Sequence, residues 1–326
     1  MTPDFKIVVE NGANVTERIR DRLVSLSVYD SSDLHSDHLE IVLDDRDGKV
    51  ATPTPGTVFK VWMGYKEDKK LAYRGKFVYD ETRFSVAPNT VTISANATNF
   101  RGEMKAPRSR SWDQVTLGDI VQTIGSDHDY QTFVHPDLAA EVITHIDQTT
   151  ESDLHFLTRL KKTYDAVFKI ADGRLLFIPK GGGKSANTQA TLPKVTLKPG
   201  DVTTCRVNIN DRSRYGAVEV KYHDRAQAKE LKAKAGNGVP VYQMKYPKAT
   251  QAEAEAEAKS KYKQLIRDTR SLNTSLPGRG DLYAEAVIEM KEWRDGMNGE
   301  WLIVSANHDL DANGYRCTVQ AEWNGD

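Results

Sequence analysis

The stretch Gly181-Gly-Gly-Lys-Ser185 ends as phosphate-binding loops end. Such a loop needs a glycine five positions before the one that precedes the lysine, and position 178 is Ile. It also needs a helix start behind it to hold the phosphate, and no helical pattern follows. A flexible linker over 181–191, rich in Gly, Lys, Ser and Asn, is the plainer reading. His35 and His38, with Asp33 and Asp37, have the residue types of a metal site. They lack the spacing of a helical metalloprotease motif, which sets Glu beside its first His, and read as an acidic surface loop. His128, His135, His145 and His155 are scattered, and His308 sits beside Asp309 in a strand-like run, where a solvated pair or an interface contact would suit it. Carboxylates cluster at Asp44, Asp45 and Asp47 and at Glu253, Glu255 and Glu257. Glycoside hydrolysis needs two carboxylates across a cleft in unlike environments, and these runs read as solvated faces. No Gly-x-Ser-x-Gly elbow is present, and neither Cys205 nor Cys317 has catalytic neighbours in sequence. Trp62, Trp293, Trp301 and Trp323 have the surface to stack on sugars, but in alternating strands a core or a subunit interface is the stronger reading. The residues therefore assign no catalytic group, no cofactor and no metal ligand.

The elements that must carry these residues are mostly strands. The chain has 326 residues and a formal net charge of −1, too long for one ordinary core and too neutral for a dedicated nucleic-acid binder. No signal-peptide h-region follows Met1, and no apolar run approaches a membrane span. A reducing cytoplasm with both thiols free is the expected setting. Short alternating runs at 5–9, 23–29, 39–43, 58–63, 71–79, 81–85 and 90–95 predict a small antiparallel β-barrel or sandwich over 1–105. An α+β insert follows over 106–194. Leu117, Ile120, Val121 and Ile124 give a helix opened by Thr116 and Asp119, with Gly125 placed to end it. A second helix carries Leu154, Phe156, Leu157, Leu160 and Tyr164, with Thr150 as its cap and Asp153 in the capping-box position. Asp172-Gly173 then joins two β-prone runs as a hairpin. The apolar face of the second helix should pack on the first, which makes Leu154, Phe156, Leu157, Leu160, Asp172 and Gly173 the signature of the insert. A second β segment follows over 195–326, in the two pieces 195–224 and 271–326. Its interruption at 225–270 reads as a charged, mobile excursion followed by an amphipathic helix over 251–269.

In this order the pieces resemble the late control gene D protein family, the baseplate hub proteins of contractile-tailed phages, and are similar to the hub half of type VI secretion spike proteins. The residues that carry the resemblance are Ser36–Leu43 with Pro55-Gly56, then Tyr73–Asp80, then Glu151–Leu160 with Gly173–Gly181, and last Gly299–Leu310 with Gly314-Tyr315. The resemblance spans nearly the whole chain and is weakest at 225–250. It implies a homotrimer whose chains each supply two related barrels, so that a ring of six barrels meets a sixfold tail tube on one side and a threefold spike on the other. It implies a structural virion component, without enzymatic activity, built in the host cytoplasm. Its partners would be copies of itself, the spike and the tube or adjoining baseplate proteins, with no membrane and no specific nucleic-acid binding. DNA or a ruler protein would pass through a neutral or acidic bore. Because the chain stops after its last strand-like run, the spike is expected to be a separate chain. Two alternatives remain: a cell-wall-acting enzyme or carbohydrate-binding module of a tail tip, and the hub of a phage-derived injection particle.

Overall fold

The computed structural model describes all residues except 11, 33–36, 98–102, 172, 182–191, 193, 212–213, 225–228 and 326. The chain begins with β1 (Pro3–Val9), the short helix α1 (Thr16–Arg20), β2 (Leu23–Ser31), β3 (His38–Asp44), β4 (Val58–Tyr65), β5 (Ala72–Ser85) and β6 (Thr90–Asn96). Apolar and polar residues alternate along these strands, so one side of each turns inward; in β3, Leu39, Ile41 and Leu43 are buried and their neighbours are half-buried. The strands bond in the order β1-β4-β5-β6-β3-β2, all antiparallel.

The insert follows as β7 (Pro107–Thr116), α2 (Leu117–Asp127), β8 (Gln131–Val134), α3 (Pro136–Ala139), β9 (Val142–Ser152), α4 (Asp153–Thr163), β10 (Ala166–Ala171) and β11 (Arg174–Pro179). Strands β7 and β9 form a ribbon, and β10-β11-β8 a small sheet in which β8 runs parallel to β11. Thr116 caps α2 through the capping box with Asp119. Gly125 does not end that helix; it lies within the last turn, where an added Cβ would meet the Thr132 side chain at 2.0 Å. The cap of α4 is Ser152, whose hydroxyl accepts from the His155 N–H, rather than Thr150. Thr150 takes a left-handed φ of 49° and gives its N–H to Ser109, and it lies two residues too early to serve the helix. Helices α2 and α4 share one core, in which Leu117, Ile120, Val121 and Ile124 meet Phe156, Leu157 and Leu160 together with Phe168 and Phe177.

The rest of the chain holds β12 (Val195–Leu197), β13 (Thr204–Ile209), β14 (Ala217–Asp224), β15 (Lys229–Gly236), β16 (Val241–Gln243), α5 (Gln251–Arg267), β17 (Arg270–Pro277), β18 (Val287–Met290), β19 (Gly299–Asp311) and β20 (Gly314–Trp323). Composition marks the charged stretch before α5 as an excursion, yet from residue 229 it folds. Strands β15 and β16 flank β14, and Val218, Val220, Ala233, Ala254, Ala258 and Leu265 give this α/β unit its own small core. Strand β14 therefore leaves the large sheet, to which its alternation alone assigns it.

The remaining strands bond in the order β12-β18-β19-β20-β17-β13. This is the order of the first set, strand for strand; the two differ in that β12 runs parallel to β18 where β1 runs antiparallel to β4. The mainly-β class with an α+β insert holds, but the two sets are not separate closed barrels. Strand β19 is long enough for two partners on one edge: Gly299–Leu302 pair with β18, and Ser305–Asp311 pair with β2. The two sets thus join in one 12-stranded sheet, and a single core runs from Phe5 and Ile7 to Trp301 and Val319.

Candidate functional site

A largely buried cluster of charges lies at the seam between the insert and the large sheet. Strand β10 alternates: Ala166, Phe168 and Ile170 face the helices, so Lys169 faces the other way. Its Nζ lies 2.6 Å from Asp30 Oδ1 at the end of β2 and 2.8 Å from Asp37 Oδ2 just before β3. Asp30 also accepts from the Ala284 N–H at 2.8 Å, and Asp37 from the Ser31 N–H at 3.1 Å. Burial works against the Lys169 charge, but the two carboxylates more than offset it and raise its pKa. Burial also opposes the charge on Asp30, yet Lys169 and the Ala284 N–H hold its carboxyl below the usual range. Asp37 goes the other way: burial, with Asp30 beside it, pushes it up to about 7 despite Lys169. Two neighbouring carboxylates that share one ammonium are driven apart in this way.

Beside this trio stands Glu285, with a left-handed φ of 69° and its side chain buried. Its carboxylate accepts the Gly181 N–H at 3.1 Å, and burial pushes it up to about 7. The glycine that opens the phosphate-loop-like stretch is thus held by an acid; positions 182–185 lie outside the described residues. The seam encloses about 30 Å³, room for a water or two and far less than a substrate needs.

Arg74 closes the other side. Its guanidinium lies 4.8 Å from the Tyr283 ring, and its Nη1 donates to Leu282 O at 3.1 Å and approaches His308 Nε2 at 3.0 Å. His308 Nδ1 lies 2.8 Å from the Tyr315 hydroxyl and 3.0 Å from Cys317 Sγ. His308 is neither a solvated pair with Asp309 nor an interface residue: it is fully buried, because strand alternation turns it inward while Asp309 turns out. Burial and Arg74 hold the imidazole neutral, well below its ordinary pKa. A Cys–His pair at this distance has the residue types of a nucleophilic site, but burial pushes the Cys317 thiol up, away from the thiolate that such chemistry needs. Periodicity could not reveal this cluster, since Arg74 comes to it from 234 positions before His308.

A second polar knot lies inside the insert. Asp153, fully buried, accepts from Arg110 Nη2 at 2.5 Å and Gln148 Nε2 at 2.7 Å, with His128 Nε2 at 2.8 Å. Burial opposes its charge, but these bonds hold its carboxyl below the usual range. Each partner bonds within the insert, which makes the knot a fastening of β7, β9 and α4.

The signature residues of the insert come together in its core: Phe156, Leu157 and Leu160 are buried, Leu154 packs at the edge, and Gly173 turns the hairpin at φ 75°. Asp172 lies outside the described residues. The tryptophans separate. Trp301 is fully buried and so cannot meet a partner; Leu302 and Ile303 beside it are buried too, so both faces of β19 are covered there. Trp323 packs edge-on to it at 5.2 Å, with Arg270 over its other side. The Trp293 ring N–H donates to Leu197 O at 3.0 Å. Trp62 stays on the outer face of β4, 5.1 Å from Tyr73. His38 bonds Asn96, and Asp37 is buried rather than part of a surface loop; His35 and Asp33 lie outside the described residues. Asp47 pairs with Arg22 at 2.7 Å, and Glu253, Glu255 and Glu257 spread around α5. Among the described residues no group of three His, Cys, Asp or Glu side chains is placed to hold a metal, and no helix is long and apolar enough to cross a membrane.

The family model described as phage tail baseplate hub (GPD) matches residues 92–314. The chain belongs to that family. A relative from Escherichia phage P2, named "Probable baseplate hub protein", is 31% identical over 364 aligned positions that take in 99% of this chain and 93% of the relative. Its namesake from Escherichia phage 186 is 29% identical with the same coverage. Among solved structures, the 43 kDa tail protein of prophage MuSo2 from Shewanella oneidensis superposes with a TM-score of 0.71 over 98% of each chain, at 15% identity. A type VI secretion component from E. coli superposes at 0.55, over 92% of this chain and 73% of that one, at 12% identity. At such identities these two likenesses speak for the fold.

Proposed function

We propose that this chain is the structural hub of a contractile-tail baseplate: a homotrimer that joins the sixfold tail tube to the threefold spike and performs no chemistry itself. The observation that carries this is the repeated strand order. One chain presents two like sets of strands, so a ring of three chains offers six similar units to the tube and three whole chains to the spike. Residues 1–105 and 195–326 then act as the two ring units and 106–194 as the insert that braces them, with β14–α5 as a separate lobe. Partners are copies of the chain, the spike and the tube or adjoining baseplate proteins, and no cofactor is needed. The protein is built in the host cytoplasm and ends in the virion tail, where DNA or a ruler protein passes a bore that is neutral or acidic. Mass photometry, on the chain alone and mixed with the spike and tube chains, tests the reading. A trimer in at least the mixture is expected; a strict monomer that ignores both chains defeats it. Clearing of a peptidoglycan suspension by the purified chain would instead favour a wall-acting enzyme.

A further inference from the structure

The two sets of strands match beyond their order. The β5–β6 ladder slips between Tyr79 and Glu81, and the β19–β20 ladder slips between Ile303 and Ser305. Laying one bulge on the other sets Glu81 on Ser305, Phe77 on Trp301, Phe84 on His308 and Val86 on Leu310. Phe77 and Trp301 are both fully buried, as true counterparts should be. Following the ladders across from there, through Ser94 and Glu40 in one set and Gln320 and Asn273 in the other, sets Ser27 on Arg206 and therefore β2 on β13.

This correspondence exposes an imbalance. In the second set β19 continues past its bulge and receives β2 along the free edge, with His308 opposite Val28 and Leu310 opposite Leu26. In the first set β5 pairs with β4 only as far as Val78, and past the bulge its residues have β6 on one side and no strand on the other among the described residues. At the far end of the sheet β13 pairs with β17 as β2 pairs with β3, and its second edge likewise carries no strand among the described residues. The side chains at these two edges are apolar where their counterparts are buried. His308 and Leu310 are 0% and 7% exposed, whereas Phe84 and Val86, the latter the first residue past the end of β5, are 62% and 86% exposed, and Ile209 at the end of β13 is 60% exposed. An open edge flanked by apolar side chains invites another strand. The edge at β1 is covered: it is bridged by residues 13–16, with the Val15 N–H on Ile7 O and the Val9 N–H on Ala13 O.

We propose that β13 of one copy pairs antiparallel with the exposed end of β5 of the next copy, in the register of the β2–β19 junction. Val207 then lies opposite Phe84, Cys205 opposite Val86 and Arg206 opposite Ser85. The junction inside each chain and the contact between chains become two versions of one interface. The contact joins unlike surfaces, so copies add head to tail rather than stop at a pair, and closure into a ring follows where the rotation between copies closes. That the ring holds three copies rests on the hub reading.

Oxidation of the Val86→Cys chain tests the register, because Cys205 is its native partner. A ladder of intermolecular disulfides on a non-reducing gel is expected, and Cys205→Ser should abolish it. A second pair on the opposite side of the sheet, Ser85→Cys with Arg206→Cys in the Cys205→Ser background, should link as well and guards against misfolding of the first variant. Phe84→Glu should weaken association by about 10- to 100-fold, since it sets a charge in an apolar contact, and leave the melting temperature of the isolated chain unchanged. Oligomers that form while neither pair links, or that ignore Phe84→Glu, overturn the seam and leave the hub reading standing. A chain that stays monomeric even with spike and tube overturns the hub reading and the seam together.

Discussion

The small sheet of β10, β11 and β8 has two faces, and they are held by different physics. Toward the helices, Phe168, Ile170, Leu175 and Phe177 meet Leu157, Leu160 and Ile124 in a dry core. Toward the large sheet, Val167, Leu176 and Ile178 surround a centre made of Lys169, Asp30 and Asp37. The apolar face gains from area and tolerates small shifts. The charged face gains little net energy, because taking three charges out of water offsets most of their attraction, but it accepts one geometry and penalises any other. The insert is thus folded by its apolar face and seated by its charged one.

Removing the seat should have the largest effect. Lys169→Met leaves two carboxylates buried beside each other and should cost about 3–5 kcal/mol, measured by urea unfolding. A cost near zero would mean that the seam opens to water at no penalty and that the contrast between the faces is false. Leu157→Ala, on the apolar side, should cost about 2–5 kcal/mol in the same assay. If it unfolds like the wild type, α4 is peripheral to the insert. The smallest effect is one of slope. Glu285 rises from 4.5 to about 7 on folding, so the folded chain keeps a proton that the unfolded chain releases. Its contribution is present below pH 4.5 and is lost as pH rises toward 7. His308, held neutral, acts in the opposite sense and costs stability as pH falls below 6.5. Since His308 is common to both chains, Glu285→Gln should show a flatter loss of stability than the wild type between pH 4.5 and 7. Identical slopes would place that carboxyl in water.

Much of the fold was legible in the chain. Alternation located β3 and β6, the capping hydroxyl of Thr116 with helical spacing located α2, and helical spacing alone located α5, because a side-chain period and a capping hydroxyl act over a few residues. The cap of α4 was misplaced by two residues because Thr150 and Ser152 both carry a hydroxyl, and which one meets the first turn depends on where the β7–β9 ribbon releases the chain. The fate of the four tryptophans was not legible, since alternation says that a residue faces one side of a strand but not what lies on that side. The buried site was missed for the same reason: Lys169 reads as a solvated residue in a hairpin until Asp30, 139 positions earlier, is set against it.

By itself, then, the sequence determined the local elements, the mainly-β class and the family, all of which rest on residues that are neighbours or that recur in fixed order. Tertiary structure alone decided that β2 bonds to β19, that β14 leaves the large sheet, and that Lys169 meets Asp30 and Asp37 while a neutral histidine lies buried nearby. A strand's period sets which side chains turn inward, whereas its hydrogen-bonding edges are alike for every sequence. The choice of partner is therefore made by what the whole chain can bury.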